Sequence, residues 1–276
     1  MTATQGAAHG ADHWADHWAD HWADHWADHG GDAEPNAIDA PGTAEEEWRS
    51  WRLLNELPVL DTSGWSSVVV VAAHPDDEVL GVGGLLAMLA ATRVPLRLVA
   101  ITDGEASHPG MDQVAAGKLA EQRAAETTTA LGRLGAPAEI VRLRIPDTGV
   151  SRREPEVREA LRELVSGFQV CLAPWDGDLH ADHEAAGRAA RRACAAAGTR
   201  LLSYPIWTWH WAHPRDSRVP WEAAVRVPLS SGAARRKRAA IDCFASQLRP
   251  RGPQRPPVLP PDVIAHFVRD QEVLIS

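Results

Sequence analysis

The stretch 68-VVVVAAHPDDEVLGVGGLLAMLA-90 sets His74, Asp76, Asp77 and Glu78 between two apolar runs. Val68–Ala73 is β-branched and too short for a buried helix, so it predicts a central strand. Glu78–Thr92 carries a helical apolar pattern, and its glycines predict close packing. The chain therefore leaves a strand, passes a knot of charge and enters a helix. Desolvating such a knot is costly unless something compensates it.

Outward from this stretch the pattern alternates. Leu96–Ile101, Glu139–Leu143, Gln169–Ala173 and Leu201–Tyr204 read as strands. Trp48–Leu57, Gly117–Leu134, Arg153–Val165 and Asp182–Ala197 read as helices. Strands and helices in this order predict βαβ units. The expected fold is α/β, a Rossmann-like three-layer sandwich with a mostly parallel central sheet and an irregular C-terminal segment. In that segment Trp207–Trp211 and Val225–Leu229 read as extended edges. Ala233–Gln247 reads as a basic helix, and Pro250–Pro261 as a loop.

In open α/β sheets ligands bind beyond the carboxyl ends of the strands. His74–Glu78 begins at such an end. The loop after the second strand carries Asp103, Glu105 and His108, and the loop after the third carries Asp147. The loop after the fourth reads APWDGDLHADHEAAG, with Asp176, Asp178, His180, Asp182 and His183. Two loops rich in His and Asp on one sheet edge predict a metal site, since a divalent cation compensates carboxylates and imidazoles together. A catalytic Zn²⁺ site takes three such ligands and leaves one position open. One His and one Asp from the first loop with one His from the second make that set, and the remaining carboxylate is free to act as a base. Acids opening the helix could by themselves explain Glu78, but not His74 or the second cluster.

The segment AHPDDEVLGVGG, followed downstream by HADHEAAGRAA, resembles the PIG-L/LmbE-like deacetylases, zinc-dependent enzymes acting on N-acetylglucosamine-type sugars. The resemblance spans Val68 to Tyr204. It implies His74, Asp77 and His183 as ligands of Zn²⁺ or another divalent metal. It implies Asp76 as general base for the attacking water, and His180 as the group that assists the tetrahedral intermediate or protonates the departing amine. Asp182 would orient a histidine. Arg123 and Asp147 would contact substrate, although Arg123 could instead pair with Glu121 or Glu126 on its own helix. Among the aromatics Trp175 is the best candidate for a sugar platform. Glu105 and His108 sit on a crevice loop that could be merely solvated.

The expected function is zinc-dependent removal of an N-acetyl group from an amino-sugar glycoside or conjugate. The alternatives are an amidase of the same family cleaving a larger thiol-conjugate amide, and a metal- or sugar-binding protein without turnover. A binding module has no need of a carboxylate beside the metal. Neither GxSxG nor GxGxxG occurs, so neither a serine nucleophile nor a nucleotide cofactor is indicated.

The net charge of −9 gives no basic field for nucleic acid or anionic lipid. No apolar run reaches membrane-spanning length. Cys171, Cys194 and Cys243 show no close pairing, and the first thirty residues lack a signal-peptide pattern, so a cytoplasmic protein is expected. The expected partner is a small-molecule N-acetylated sugar, with homo-oligomers left open. ADHW repeats from residue 11 to 26, with ADHG at 27–30, predict a disordered tail over residues 1–44 ahead of one domain at 45–276. In a helix His13, His17, His21, His25 and His29 would share a face able to bind Zn²⁺ or Ni²⁺; in a mobile tail they would bind metal loosely.

Overall fold

Every residue of β1 (Val68–Ala72) is buried, and its side chains divide between two cores. Val68, Val70 and Ala72 face one core and Val69 and Val71 the other, which is the period of two that a doubly covered strand requires. The computed structural model describes residues 37–38, 40–252 and 255–276. The repeat-bearing tail, with its disorder and metal-binding readings, lies outside the described residues.

The helices in chain order are α1 (Glu45–Ser50), α2 (Leu53–Glu56), α3 (Asp77–Ala91), α4 (Gln113–Leu134), α5 (Glu154–Val165), α6 (Ala181–Ala197), α7 (Thr208–Trp211), α8 (Ser231–Ile241), α9 (Ala245–Leu248) and α10 (Pro261–Ala265). The further strands are β2 (Leu96–Ala100), β3 (Glu139–Arg142), β4 (Val170–Pro174), β5 (Arg200–Tyr204), β6 (Ala224–Pro228) and β7 (Gln271–Ile275). They form one sheet in the order β3-β2-β1-β4-β5-β7-β6. The first five are parallel, and β7 pairs antiparallel with β5 and β6. Helices α3, α4 and α8 pack together on one side, and α5 and α6 pack on each other with the second core. The expected α/β sandwich with a mostly parallel sheet is the fold observed.

The strand order reverses between β1 and β4, which pair from Val68↔Val170 to Val70↔Leu172. The loops carrying His74 and His183 therefore leave adjacent strands at the switch point, where such sheets bind ligands.

Helix α3 is kinked. Val82 has φ −137° and ψ 15°, and the N–H groups freed beyond it are taken up from outside the helix. The Glu272 carboxylate of β7 accepts from Gly84 N (2.7 Å) and Leu85 N (2.8 Å), and from Lys237 Nζ of α8 (2.7 Å). At Gly81 a Cβ would lie 2.3 Å from the Tyr204 ring, so the expected close packing of this helix is real.

The C-terminal segment departs from expectation in several places. Trp207–Trp211 holds helix α7 rather than an edge strand, and Trp209 packs in the core edge-on to Trp48. The basic helix ends at Ile241, and α9 follows after a break. Strand β7 was not foreseen: Gln271 and Glu272 look like loop residues until Lys237 and the α3 kink neutralise the glutamate. Upstream, Thr43 N donates to His210 O and Thr43 Oγ1 to Ala212 O, so residues ahead of the Glu45 boundary already contact α7 and its C-terminal end. Among the described residues no helix is long and apolar enough to cross a membrane.

Candidate metal centre

The turn after β1 aims several side chains at one point. His74 Nδ1 lies 3.1 Å from His183 Nε2 and 3.7 Å from Asp77 Oδ2, and His183 Nε2 lies 3.4 Å from Asp77 Oδ1. Asp77 opens α3 and accepts the backbone N–H of His74 at 2.8 Å, which holds its carboxylate back over the turn. His183 comes from the first turn of α6. Donors about 2.0–2.1 Å from a tetrahedrally bound ion stand roughly 3.3 Å apart, close to the spacing of these three atoms.

The far side of each imidazole is backed by carboxylate. Asp178 Oδ2 lies 2.7 Å from His183 Nδ1, and Asp147 Oδ1 and Asp182 Oδ2 lie 3.2 and 3.4 Å from His74 Nε2. With those nitrogens protonated toward their carboxylates, the inward nitrogens of both rings present lone pairs to each other and to Asp77. Such an arrangement calls for a positive charge at its centre. The same demand appears in the titration of His74. Burial disfavours its charged form, but hydrogen bonds to Asp147 and Asp182 and the charge of Asp77 outweigh burial and raise its pKa to about 10. His183 is raised too, against burial, by Asp77 and Asp178. A divalent cation fits this donor set, in which two imidazoles and a carboxylate converge and each ring has a carboxylate behind it.

Asp76 stands between His74 and Asp77 at φ 125° and ψ −30°, a conformation rare for any residue but glycine. Such strain costs on the order of 1–3 kcal/mol and collects at functional sites. It turns the Asp76 side chain away from that of Asp77. Burial raises the pKa of Asp76, against the opposing charge of Arg123. The Arg123 guanidinium of α4 donates to Asp76 Oδ2 (3.2 Å), Pro75 O (2.7 Å) and Gly104 O (2.9 Å). Gly104 has to be glycine: its φ is +69°, and a Cβ would lie 1.9 Å from the guanidinium. Arg123 thus ties the β1 and β2 loops together, and its pairing is with Asp76 rather than with Glu121 or Glu126 of its own helix.

His180 N-caps α6 with its ring centroid 4.5 Å from that of His183 and 4.9 Å from that of His74. Its Nδ1 is buried without a hydrogen-bond partner. Burial, His183 and His74 lower its pKa to about 2, so the ring is neutral at rest. Its donor atom also lies within 4.8 Å of those of His74 and His183, close enough for the three to share an ion.

Several sequence candidates take places that spacing did not specify. Asp182 accepts Thr148 N (2.8 Å) and Val150 N (3.1 Å) while facing His74. Asp147 faces the same nitrogen and is held by Ala106 N at 2.9 Å, and its own N–H donates to Glu105 at 2.9 Å. Burial would raise the Asp147 pKa, but the bonded and charged His74, with Arg123 behind it, keeps it below the usual carboxylate range. Trp175 departs from the sugar-platform expectation. It is packed in the core against Gly177, where a ring has no face to offer a sugar.

Asp178 is the residue whose part spacing did not reveal. It is fully buried and, besides His183, accepts the backbone N–H groups of Ile206, Trp207 and Thr208 at 2.8–3.1 Å. Asp176, two positions earlier, pairs with Arg191 instead. Nothing local distinguishes these two aspartates. Glu78, read as a helix-opening acid, is also fully buried; burial together with Asp76 and Asp77 raises it to about 8, and it accepts Asp76 N at 3.2 Å.

Residues 69–194 match the family described as PIG-L: GlcNAc-PI de-N-acetylase. The chain is similar to 1D-myo-inositol 2-acetamido-2-deoxy-alpha-D-glucopyranoside deacetylase 2 of Catenulispora acidiphila, with 32% identity over 48% of this chain and 52% of that protein. It thus spans about half the length of this curated relative. Among solved structures it resembles a conserved protein of Thermus thermophilus, with 29% identity over 67% of this chain and 80% of that one and a TM-score of 0.50. It also shares its fold with N,N'-diacetylchitobiose deacetylase of Pyrococcus horikoshii, with 21% identity over 75% and 80% of the two chains and a TM-score of 0.54.

Proposed function

We propose, from the match of residues 69–194 to the PIG-L GlcNAc-PI de-N-acetylase family, that this chain is a Zn²⁺-dependent N-deacetylase acting on an N-acetylated amino sugar in glycosidic or conjugated form. One observation carries the reading. His74 Nδ1, His183 Nε2 and the Asp77 carboxylate meet within 3.1–3.7 Å of one another, and a further strained carboxylate, Asp76, stands beside them and is held by Arg123.

His74, Asp77 and His183 would hold the ion. When bound, it supplies Lewis acidity that polarises the amide carbonyl and makes water nucleophilic at neutral pH. Asp76 accepts the proton of the attacking water, and its burial-raised pKa suits a base working near neutrality. Arg123 fixes that carboxylate in place. His180, neutral at rest, hydrogen-bonds the tetrahedral oxygen or relays a proton to the amine nitrogen as the C–N bond breaks. Asp147, Asp178 and Asp182 orient the two ligand imidazoles. Acetate and the free amine leave as products. The name of the Catenulispora relative supports an N-acetylglucosamine glycoside as the substrate class. The free cysteines Cys171, Cys194 and Cys243 support a reducing, cytoplasmic setting.

The test is amine release from N-acetyl and longer N-acyl glucosamine glycosides, with metal content measured on the same samples before chelation, after it and after add-back of Zn²⁺. Deacetylation that tracks the metal and favours acetyl is the expected result. Metal binding without amine release would leave a binding protein, and a preference for long acyl groups would make it an amidase.

A further inference from the structure

Glu78 follows Asp77 in the first turn of α3 and is fully buried. An acid that only favours a helix dipole can stay in water, whereas one taken out of water has to be met by donors. Glu78 Oε2 is met by the backbone N–H of Asp76 at 3.2 Å, and Oε1 has no hydrogen-bond partner among the described residues.

That N–H belongs to the peptide joining Pro75 to Asp76. The oxygen of the same peptide, Pro75 O, accepts Arg123 at 2.7 Å. The peptide plane is therefore gripped at both poles, by a carboxyl of α3 and a guanidinium of α4. On the other side of the Asp76 Cα, Asp76 O accepts Val79 N and Leu80 N, each at 2.9 Å, as α3 begins. These two fixed peptides set φ 125° and ψ −30° at Asp76. Strain of this kind persists where the surroundings over-determine it.

An aspartate at a helix N-cap ordinarily has an extended backbone and caps the helix with its own side chain. Asp76 does neither, and its side chain reaches Arg123 instead. Glu78 reaches back to the N-cap N–H as the glutamate of a capping box does, but the reciprocal bond is missing. The Asp76 carboxylate is thereby kept off the helix.

We propose that Glu78 is a positioning residue: its carboxyl oxygen holds the Pro75–Asp76 peptide in the strained orientation that keeps the Asp76 carboxylate available as the base. The proposal rests on the deacetylase reading for the reaction but not for the clamp. The clamp requires an acceptor at the reach of a glutamate and not a charge. Glu78→Gln keeps an oxygen at that reach, and Glu78→Asp keeps the charge on a side chain one methylene shorter.

The experiment measures kcat and KM on an N-acetylglucosamine glycoside, with metal content and melting temperature, for the wild type, E78Q, E78D, D76N and E78D/D76N. E78D is expected to lose kcat by about 10²-fold, the effect of a misplacement of about 1 Å, with KM and bound metal unchanged. E78Q is the rescuing variant, expected to keep kcat within about threefold of the wild type. In the D76N background E78D should remove nothing further, because the group it positions is already gone. The clamp is also read without turnover, from hydrogen exchange of the Asp76 amide. With proline labelled by ¹³C at the carbonyl and aspartate by ¹⁵N, only the peptides 75–76, 146–147 and 261–262 combine the two labels. Exchange at Asp76 is expected to be about tenfold faster in E78D than in the wild type or E78Q. Faster exchange in E78D while the wild type deacetylates no glycoside would uphold the clamp and overturn the deacetylase reading. With a wild type that does turn over, E78D as active as E78Q, or a further loss in E78D/D76N, would overturn the positioning role alone. Equal exchange in all variants would overturn it too. Should E78D not fold, a folded, metal-replete E78Q that has lost kcat would do the same.

Discussion

Asp76 and Asp77 are neighbours in sequence with opposite surroundings. Asp77 faces two imidazoles, and Asp76, turned away by its positive φ, faces an arginine. Asp77→Asn replaces an anionic donor by a neutral amide, so bound metal should fall sharply. Asp76→Asn should retain metal and lose turnover by about 10²–10⁴-fold, the usual contribution of a general base. Elemental analysis and amine release on the same samples separate the two, and a metal-replete, fully active Asp76→Asn enzyme would remove Asp76 from the chemistry. Asp178 acts one layer further out, orienting His183 through Nδ1. Asp178→Asn keeps the shape but not the charge. It should weaken metal binding by about 10–100-fold, as read by competition with a chromogenic chelator. Unchanged affinity would make Asp178 a fastener of the 206–208 turn only.

Two elements are held by buried carboxylates that join them to residues far along the chain. The kink of α3 rests on Glu272, which is itself neutralised by Lys237, an amine whose pKa is lowered by burial despite that partner. Glu272→Gln leaves Lys237 buried without its counter-charge and should cost about 3–5 kcal/mol. Adding Lys237→Met should recover part of that loss in a denaturant melt, and no recovery would show that the lost helix cap, not the lone charge, dominates. Helix α1 is held by Glu45, which binds His266 (2.8 Å), Arg269 (2.6 Å) and Arg49 (3.0 Å). Burial opposes the charge of Glu45, but these partners outweigh it and lower the pKa to about 2. A folded-state pKa below the unfolded value means the stabilisation is complete above about pH 4.5 and is lost as pH falls toward 2. Glu45→Gln should therefore lower stability at pH 7 by about 2 kcal/mol. The gap to the wild type should close below pH 4.5, and a gap that stays constant with pH would exclude the ionised carboxylate as its cause.

For the molecule as a whole, the proposed metal centre concentrates charge that a bound ion would offset. Asp77, Asp147, Asp178 and Asp182 are gathered around two imidazoles beyond the ends of β1, β3 and β4. An ion that binds only the folded chain stabilises it by about 4 kcal/mol when present at a thousand times its Kd. Stripping the ion should lower the melting temperature by about 10 °C, reversibly on add-back. A melting curve indifferent to chelation would mean that no ion is held there. The same centre joins residues from the β1, β3 and β4 loops, so its integrity reports on the register of the whole parallel half of the sheet.

The parallel half of the fold and the donor types of the site were legible in the amino-acid order. Val68–Ala72 is an uninterrupted apolar run of four valines and an alanine, and its branching and length need no partner to be recognised. His74, Asp77 and His183 stand where strands end, and strand ends face one edge in any βαβ sheet. What the order could not reveal was pairing. Asp178 rather than Asp176 backs His183, Asp147 and Asp182 meet at His74, Trp175 turns into the core, and Arg123 reaches Asp76 instead of its own helix. Strand β7 was hidden for the same reason, because Glu272 reads as surface until Lys237 and the α3 kink surround it. Periodicity and chemical type are local properties of a chain. Which buried charge meets which depends on backbone angles at single residues, such as Asp76 at φ 125°, and on contacts across more than a hundred positions, and only the packed sheet decides those.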